Sequence, residues 1–215
     1  MAIRILPFRQ YDDHDVVNLY ALESGAVNST LATIGGGDAG VFVKVSNGNF
    51  NNDPVTYQAN SYLGDTSYPF LGSASMYPEV NLKVTGAGSG EIPLGITLFQ
   101  TAESDENSEK LLYNPQKALE NEAILPGQAV PVATKGVFTL SSGAIGGNLL
   151  TSQMAPGSGI RMHNTEVGRI TGCNPRDTDC FGTILGTGSR TSLGPTTDQF
   201  VVSGTGAYLV VKIDC

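Results

Sequence analysis

The chain has 215 residues, long enough for one large β domain or two small ones, and folding at that size hides roughly 70% of the extended chain's surface. Only 15% of residues are charged and 27 are glycine, with no tryptophan; average soluble proteins carry about 25% charge and about 7% glycine, so this is a turn-rich, weakly charged β composition in which long amphipathic helices are not expected. The net charge of −8, from 20 acidic and 12 basic residues, repels phosphate backbones and disfavours direct nucleic-acid binding, and no apolar run reaches the roughly 18 residues of a membrane-spanning helix.

Residues 1–24 read as an arm. Ile3, Ile5 and Leu6 precede Pro7, Phe8 follows, and the polar stretch YDDHD separates them from VVNLYAL, which contains Val16, Val17, Leu19 and Tyr20. An extended arm with apolar teeth suits docking on a neighbouring subunit, and an ordinary first strand of the core suits the same pattern. The apolar stretch at the start is too short for a signal peptide, so synthesis and folding in a cytoplasm are expected.

Residues 25–90 form a second, β-rich segment punctuated by Gly35-Gly36-Gly37, Asn47-Gly48 and Asn51-Asn52-Asp53-Pro54. Residues 41–45 predict a strand, and the Asn-Gly pair after it predicts a hairpin, because both residue types tolerate positive φ. Weaker strands are expected over 55–62 and 68–71, and a cleanly alternating one over 80–84. GAGSGE at 86–91 is a turn or link.

Residues 91–215 form the third part. Two apolar runs, 93–99 and 129–140, flank an acidic polar loop; Gly95 marks a bulge or a close backbone approach. Asn114-Pro115 suits an N-cap and first helical position, predicting a short helix over PQKALENE, and Pro126-Gly127 predicts a tight turn. Further strands are expected at 159–164, 167–171, 183–185, 199–202 and 207–213, the last apolar enough to be buried on both faces. The fold class expected is mainly β, a barrel or sandwich body with an extended N-terminal arm and at most one or two short helices.

Candidate chemistry is sparse. His14 lies in Asp12-Asp13-His14-Asp15, but neighbours on an extended chain point to opposite sides and cannot converge on one ion. No G-x-S-x-G elbow occurs; Ser73 and Ser75 lack the second glycine. GAGSGE lacks the Lys-Ser/Thr pair of a phosphate loop. SDENSE at 104–109 lacks the sixth-position glycine of a calcium hand and reads as an exposed acidic turn.

Of three cysteines, Cys173 and Cys180 bracket CNPRDTDC and can be bridged, a link that contributes roughly 2–3 kcal/mol on the chain-entropy model. Zinc with His163 as a further ligand is the alternative, but the spacing between the cysteines departs from the usual two to four residues, so no metal site is assigned. A reducing cytoplasm opposes the bridge during synthesis but not after release into an oxidising medium. No catalytic constellation emerges, and a non-enzymatic protein without cofactor is expected.

The segments IPLGITL and LPGQAVPVATKGVFTL, with FGTILGTG at 181–188 and the closing YLVVKI, resemble decoration, or cement, proteins of tailed-bacteriophage capsids. Gly127, Val130, Val132 and Gly136 occupy a pattern similar to that family's G-x-x-V-x-V-x-x-x-G run. The resemblance covers roughly residues 91–215; the first ninety residues exceed what a minimal decoration protein needs. It implies a virion structural protein with a small β-barrel that binds the outer face of an assembled capsid, contacts the major capsid protein, and forms a homotrimer. The arm residues Ile3, Ile5, Leu6, Phe8, Val16, Val17, Leu19 and Tyr20 are then the expected capsid contacts. Rival readings are a tail- or fibre-associated adhesin module and a glycan hydrolase with convergent carboxylates.

Overall fold

A computed structural model describes residues 4–23, 37–48, 55–56, 79–105, 107–148, 153–189 and 207–215. In chain order the strands are β1 (Ile5–Gln10), β2 (Val16–Val17), β3 (Ala21–Leu22), β4 (Phe42–Asn47), β5 (Val55–Thr56), β6 (Glu79–Val80), β7 (Lys83–Gly86), β8 (Gly95–Thr97) and β9 (Gln100–Thr101). After them come the helix α1 (Pro115–Glu120) and β10 (Ala123–Ile124), β11 (Val132–Ala133), β12 (Lys135–Ser141), β13 (Gly159–Met162), β14 (Ile170–Cys173), β15 (Gly182–Ser189) and β16 (Ala207–Asp214). The protein is mainly β, as its composition and strand spacing predict.

Two six-stranded sheets dominate, with orders β1-β12-β16-β15-β13-β14 and β2-β11-β8-β4-β7-β3. The first is open. Its long central strands alternate: Leu209, Val211 and Ile213 of β16 are buried, whereas Lys212 and Asp214 are exposed. The expectation that this closing strand is buried on both faces is corrected. Tyr208 and Val210 are only half-covered, because a sheet packed against a partner on one side leaves its other face to solvent.

The second sheet closes on itself. Val16 and Val17 pair with Ala133 and Val132, Val130 N–H donates to the Tyr20 carbonyl at 2.9 Å, and Ala21 bridges Ala129. Ala21 and Leu22 then pair in parallel with Lys83 and Val84 of β7, so the hydrogen-bonded ring has no edge. Inside it lie Leu22, Val41, Val43, Val84, Val130 and Val132, all buried. Branched side chains of this size fill a small ring and leave a core rather than a channel. Gly95 answers the expectation of a close approach: a Cβ there would collide with the Ala133 carbonyl oxygen across the β8–β11 pair.

The ring's outer wall packs on the open sheet. Phe42, Ala87, Ile96, Leu98 and Ala133 from the ring side form one core with Phe138, Leu140, Ile160, Met162, Ile184, Leu209 and Val211. Phe42 and Phe181 meet across this interface with ring centroids 5.4 Å apart and tilted, a favourable aromatic geometry. A small third cluster, Ala102, Leu111 and Ala118, lies under α1. That helix begins as predicted, with Asn114 Oδ1 accepting the Lys117 N–H at 3.3 Å and Pro115 in the first turn.

Two joints tie the bodies together. Arg4, just before β1, and Asp38, in the loop before β4, form an ion pair at 3.4 Å with both side chains about 1% exposed. Burial pushes the Asp38 carboxyl up and the Arg4 guanidinium down, against their mutual attraction. The second joint is the tip between β13 and β14, where Phe42 N–H donates to Gly168 O and Gly168 N–H to Ala87 O. Gly86 makes room for Val167 there: a Cβ at 86 would lie 2.5 Å from Val167 Cγ1.

Several expectations change. Asn47-Gly48 does not form a two-residue hairpin: β4 pairs with β7 and β8, β5 pairs with β6, and Gly48 has no positive φ. β4 is held by β7 out to Asn47 and by β8 at Phe42 and Val43. A division at residue 90 would cut the ring, since β4 pairs with β8 and β2 with β11 across it. The strands expected at 68–71 and 199–202 lie outside the described residues, as does most of 55–62.

Candidate functional site

The arm is woven into the body, as the core-strand reading of that segment has it. Among the described residues β1 is an edge strand of the open sheet, pairing with β12, and Pro7 is tolerated there because an edge strand need not donate on its outer side. A bulge between Ile5 and Arg9 breaks the register and re-aims the side chains beside it. Ile5 and Val16 pack against the shared core, Tyr20 packs against the ring interior, and Leu6 and Val17 are half-buried. Phe8 and Leu19 point outward, 73% and 51% exposed. Ile3 lies outside the described residues. Of the residues expected to form a contact surface, therefore, Phe8 and Leu19 present most of their surface to solvent.

The polar candidates are each held by neighbours. Residues Asp13–Asp15 form a short 3-10 turn, capped by Asp12 accepting the His14 N–H at 2.9 Å, rather than an extended chain. In the acidic loop Asp105 is buried: its Oδ1 accepts the N–H groups of Asn107 and Glu109, and its Oδ2 accepts the Lys117 ammonium. The Lys117 bond, chiefly, holds the Asp105 carboxyl below its ordinary range. This is a self-satisfied turn, built like an Asx motif. In the glycine loop Glu91 takes the Gly88 N–H at 2.6 Å and pairs with Lys44, so the amide that would face a phosphate is occupied by the chain's own carboxylate. Ser73 and Ser75 lie outside the described residues.

His163 sits at the end of the β13–β14 hairpin opposite the cysteines, because Gly159 is the residue that pairs with Cys173. Its Nδ1 accepts the Glu166 N–H at 3.1 Å, and Glu166 in turn accepts the Gly147 N–H at 2.7 Å and pairs with Arg169 at 3.2 Å. The zinc arrangement with His163 is thereby corrected: β-strand rise separates it from the cysteines by roughly 13 Å.

Cys173 and Cys180 are joined as a disulfide, and Cys215 is free and exposed. The Asp177 carboxylate lies beside the two sulfurs, with all three donor atoms within 4.8 Å of one another. Sequence reasoning missed Asp177 because CNPRDTDC offers two aspartates and only the turn geometry selects one. It also missed the Arg4–Asp38 pair, for which the one available signal was a lone arginine inside the apolar run MAIRIL. The chain matches no protein family, no curated protein and no solved structure.

Proposed function

We propose that this chain is a virion structural protein that binds the outer surface of an assembled tailed-phage capsid and stabilises it, with the major capsid protein as its partner and a homotrimer as its own assembly. The reading rests on the resemblance of residues 91–215 to capsid decoration proteins. It draws its structural support from one observation: Phe8 is 73% exposed on an edge strand that is otherwise locked into the fold. An aromatic side chain with few torsions, on a backbone already ordered by its ladder, loses little conformational entropy on docking. Repetition of one such contact over a lattice multiplies weak binding into avidity. Binding the expanded shell but not its precursor stabilises the shell by mass action without chemistry. On this reading the protein is made in the host cytoplasm and works on the virion exterior, where an oxidising medium keeps the Cys173–Cys180 bridge.

Mixing the purified protein with undecorated capsids tests the proposal. Stoichiometric uptake is expected, weakened at least about tenfold by Phe8→Ser, the loss of a buried aromatic contact at an interface, while the circular dichroism of the free protein is unchanged. No uptake by the parent protein would sink the reading, and binding to host cells in its place would favour the adhesin module.

A further inference from the structure

The end of β14 and the loop that follows it bring two sulfurs and a carboxylate to one point. We propose that the reduced form of this chain binds a soft divalent cation of the zinc class through Cys173, Cys180 and Asp177, and that oxidation of the two thiols to the disulfide releases it. The site does not depend on the capsid reading.

The geometry is set by the backbone rather than by the sulfur–sulfur bond. Cys173 is held by its ladder pairing with Gly159. Immediately after Cys180, Phe181 N–H donates to the Ile160 carbonyl at 3.1 Å, and Asp214 N–H donates to the Phe181 carbonyl at 3.1 Å. Both cysteines are therefore pinned to the β13 side of the open sheet. Between them the turn closes on itself: Asp177 N–H donates to Asn174 O at 2.9 Å, Cys180 N–H donates to Asp177 O at 3.3 Å, and Asn174 N–H donates to Asp177 Oδ2 at 3.2 Å. That last bond turns the carboxylate towards the cysteines. Gly159 lies under the sulfurs, and a Cβ there would fall 2.8 Å from each of them, so glycine leaves the room both sulfurs occupy.

Donor spacing fits the cation. The three atoms already lie within 4.8 Å of one another. Tetrahedral zinc, with bonds of about 2.3 Å to sulfur and about 2.0–2.2 Å to oxygen, needs its ligands roughly 3.4–3.8 Å apart. The sulfurs have to separate after reduction, which side-chain rotation supplies. Cys173 is buried while Asp177 is exposed, so the fourth position faces water. Chemistry balances in both directions. A dithiol reductant gives two electrons and two protons to the S–S bond and becomes a disulfide; cation binding then displaces the two thiol protons. A low-molecular-weight disulfide reverses the process by accepting the two electrons through thiol exchange, and the cation leaves.

Cobalt(II) is the probe, because its bonds to thiolate absorb in the near ultraviolet. The reduced parent protein is expected to take up one equivalent, with a sulfur-to-cobalt band that zinc abolishes. The oxidised protein and reduced Cys180→Ser are expected to show no band. Asp177→Asn is expected to weaken binding at least about tenfold, no less than loss of an outer-shell partner does, whereas His163→Ala leaves it unchanged. A reduced chain that loses β structure and regains it on adding cobalt also supports the site. A reduced chain that stays colourless, folded or not, overturns it, and so does a band that survives in Cys180→Ser. Unchanged affinity in Asp177→Asn overturns the assignment of the third ligand.

Discussion

The open sheet and the closed ring bury similar aliphatic side chains by opposite means. The open sheet uses long strands, β12, β15 and β16, paired over seven residues or more, and hides one face by borrowing the ring's outer wall. It keeps an edge at β1. The ring uses strands of two to six residues, too short to hold register alone, and gains from closure what it lacks in length. Its interior is sealed only while every segment is present. Cooperativity in this protein should therefore be concentrated in the ring and in the joints, and contact with other molecules at the open sheet's edge.

The most severe way to break the comparison is to remove residues 1–22. These supply β1 to the open sheet and both β2 and β3 to the ring, so the deletion opens the one body and strips the edge of the other. Loss of the cooperative thermal transition is expected. A truncated chain that still melts cooperatively would show that the ring is not the cooperative unit. The same result bears on capsid binding, since deletion of the arm cannot separate a contact role from a folding role, whereas Phe8→Ser can.

Next in size is the first joint. Asp38→Ala leaves a buried guanidinium with its main counter-charge gone, and breaking such a pair costs about 3–5 kcal/mol. Replacing both partners, Arg4→Met with Asp38→Leu, is expected to recover most of that loss, because the desolvation of two charges disappears with them. Urea unfolding of the single and double variants measures both. Failure of the double variant to recover would mean that the pair aligns the loop at residues 37–40 against β8, where Thr97 Oγ1 donates to Asp38 O at 3.2 Å, more than it balances charge.

A third test compares glycines of the two bodies. Gly95→Ala drives a methyl into the Ala133 carbonyl inside the ring, an overpacking that costs about 1–3 kcal/mol. Gly186, at the bulge in β15, has open space for 4 Å around the position a methyl would take, and no positive φ; Gly186→Ala is expected to change stability by less than about 1 kcal/mol, in the stabilising direction. Equal losses at the two sites would erase the distinction between a tight ring and a tolerant open sheet.

The two bodies also differ in how far the sequence discloses them. The long strands of the open sheet were legible because apolar runs bounded by turn residues, as in the closing YLVVKI, are a local signal, though the alternation that leaves one face to solvent was not read from it; the helix after Asn114 was legible from its Asn-Pro cap. The ring was not. Val16–Val17, Val132–Ala133 and Ala21–Leu22 are pairs of residues with no periodicity to read; the first two pair with each other across more than a hundred residues, and the third with Lys83–Val84 across about sixty. Phe8 and Leu19 share an apolar character with Ile5, Val16 and Tyr20, and identity alone cannot separate the two groups. Only the bulge in β1 and the docking of the segment on two sheets decide which side chains face out. The cysteine pair was legible from its spacing, Asp177 only from the turn.

The smallest effect concerns the second joint and carries a sign. Glu166 holds the β13–β14 tip, and the Gly147 N–H, more than the Arg169 guanidinium, keeps its carboxyl below the ordinary value of 4.5. A carboxylate lowered in the folded state adds stability that is complete above its unfolded value and is lost as pH falls through the folded one. Glu91, held low chiefly by Lys44, acts in the same sense, and Asp38, raised by burial, in the opposite one. Glu166→Gln is therefore expected to cost less than about 1 kcal/mol at pH 7, given how far solvent reaches this group. That difference should shrink as pH falls below about 4.5 and vanish once pH has passed below the lowered folded value, where the parent side chain is itself neutral. Urea unfolding of both proteins across that range is the measurement. A difference that stays constant with pH would assign the brace to hydrogen bonding alone, and would mean that the tip is seated on the ring by Gly168 and Val167 rather than by charge.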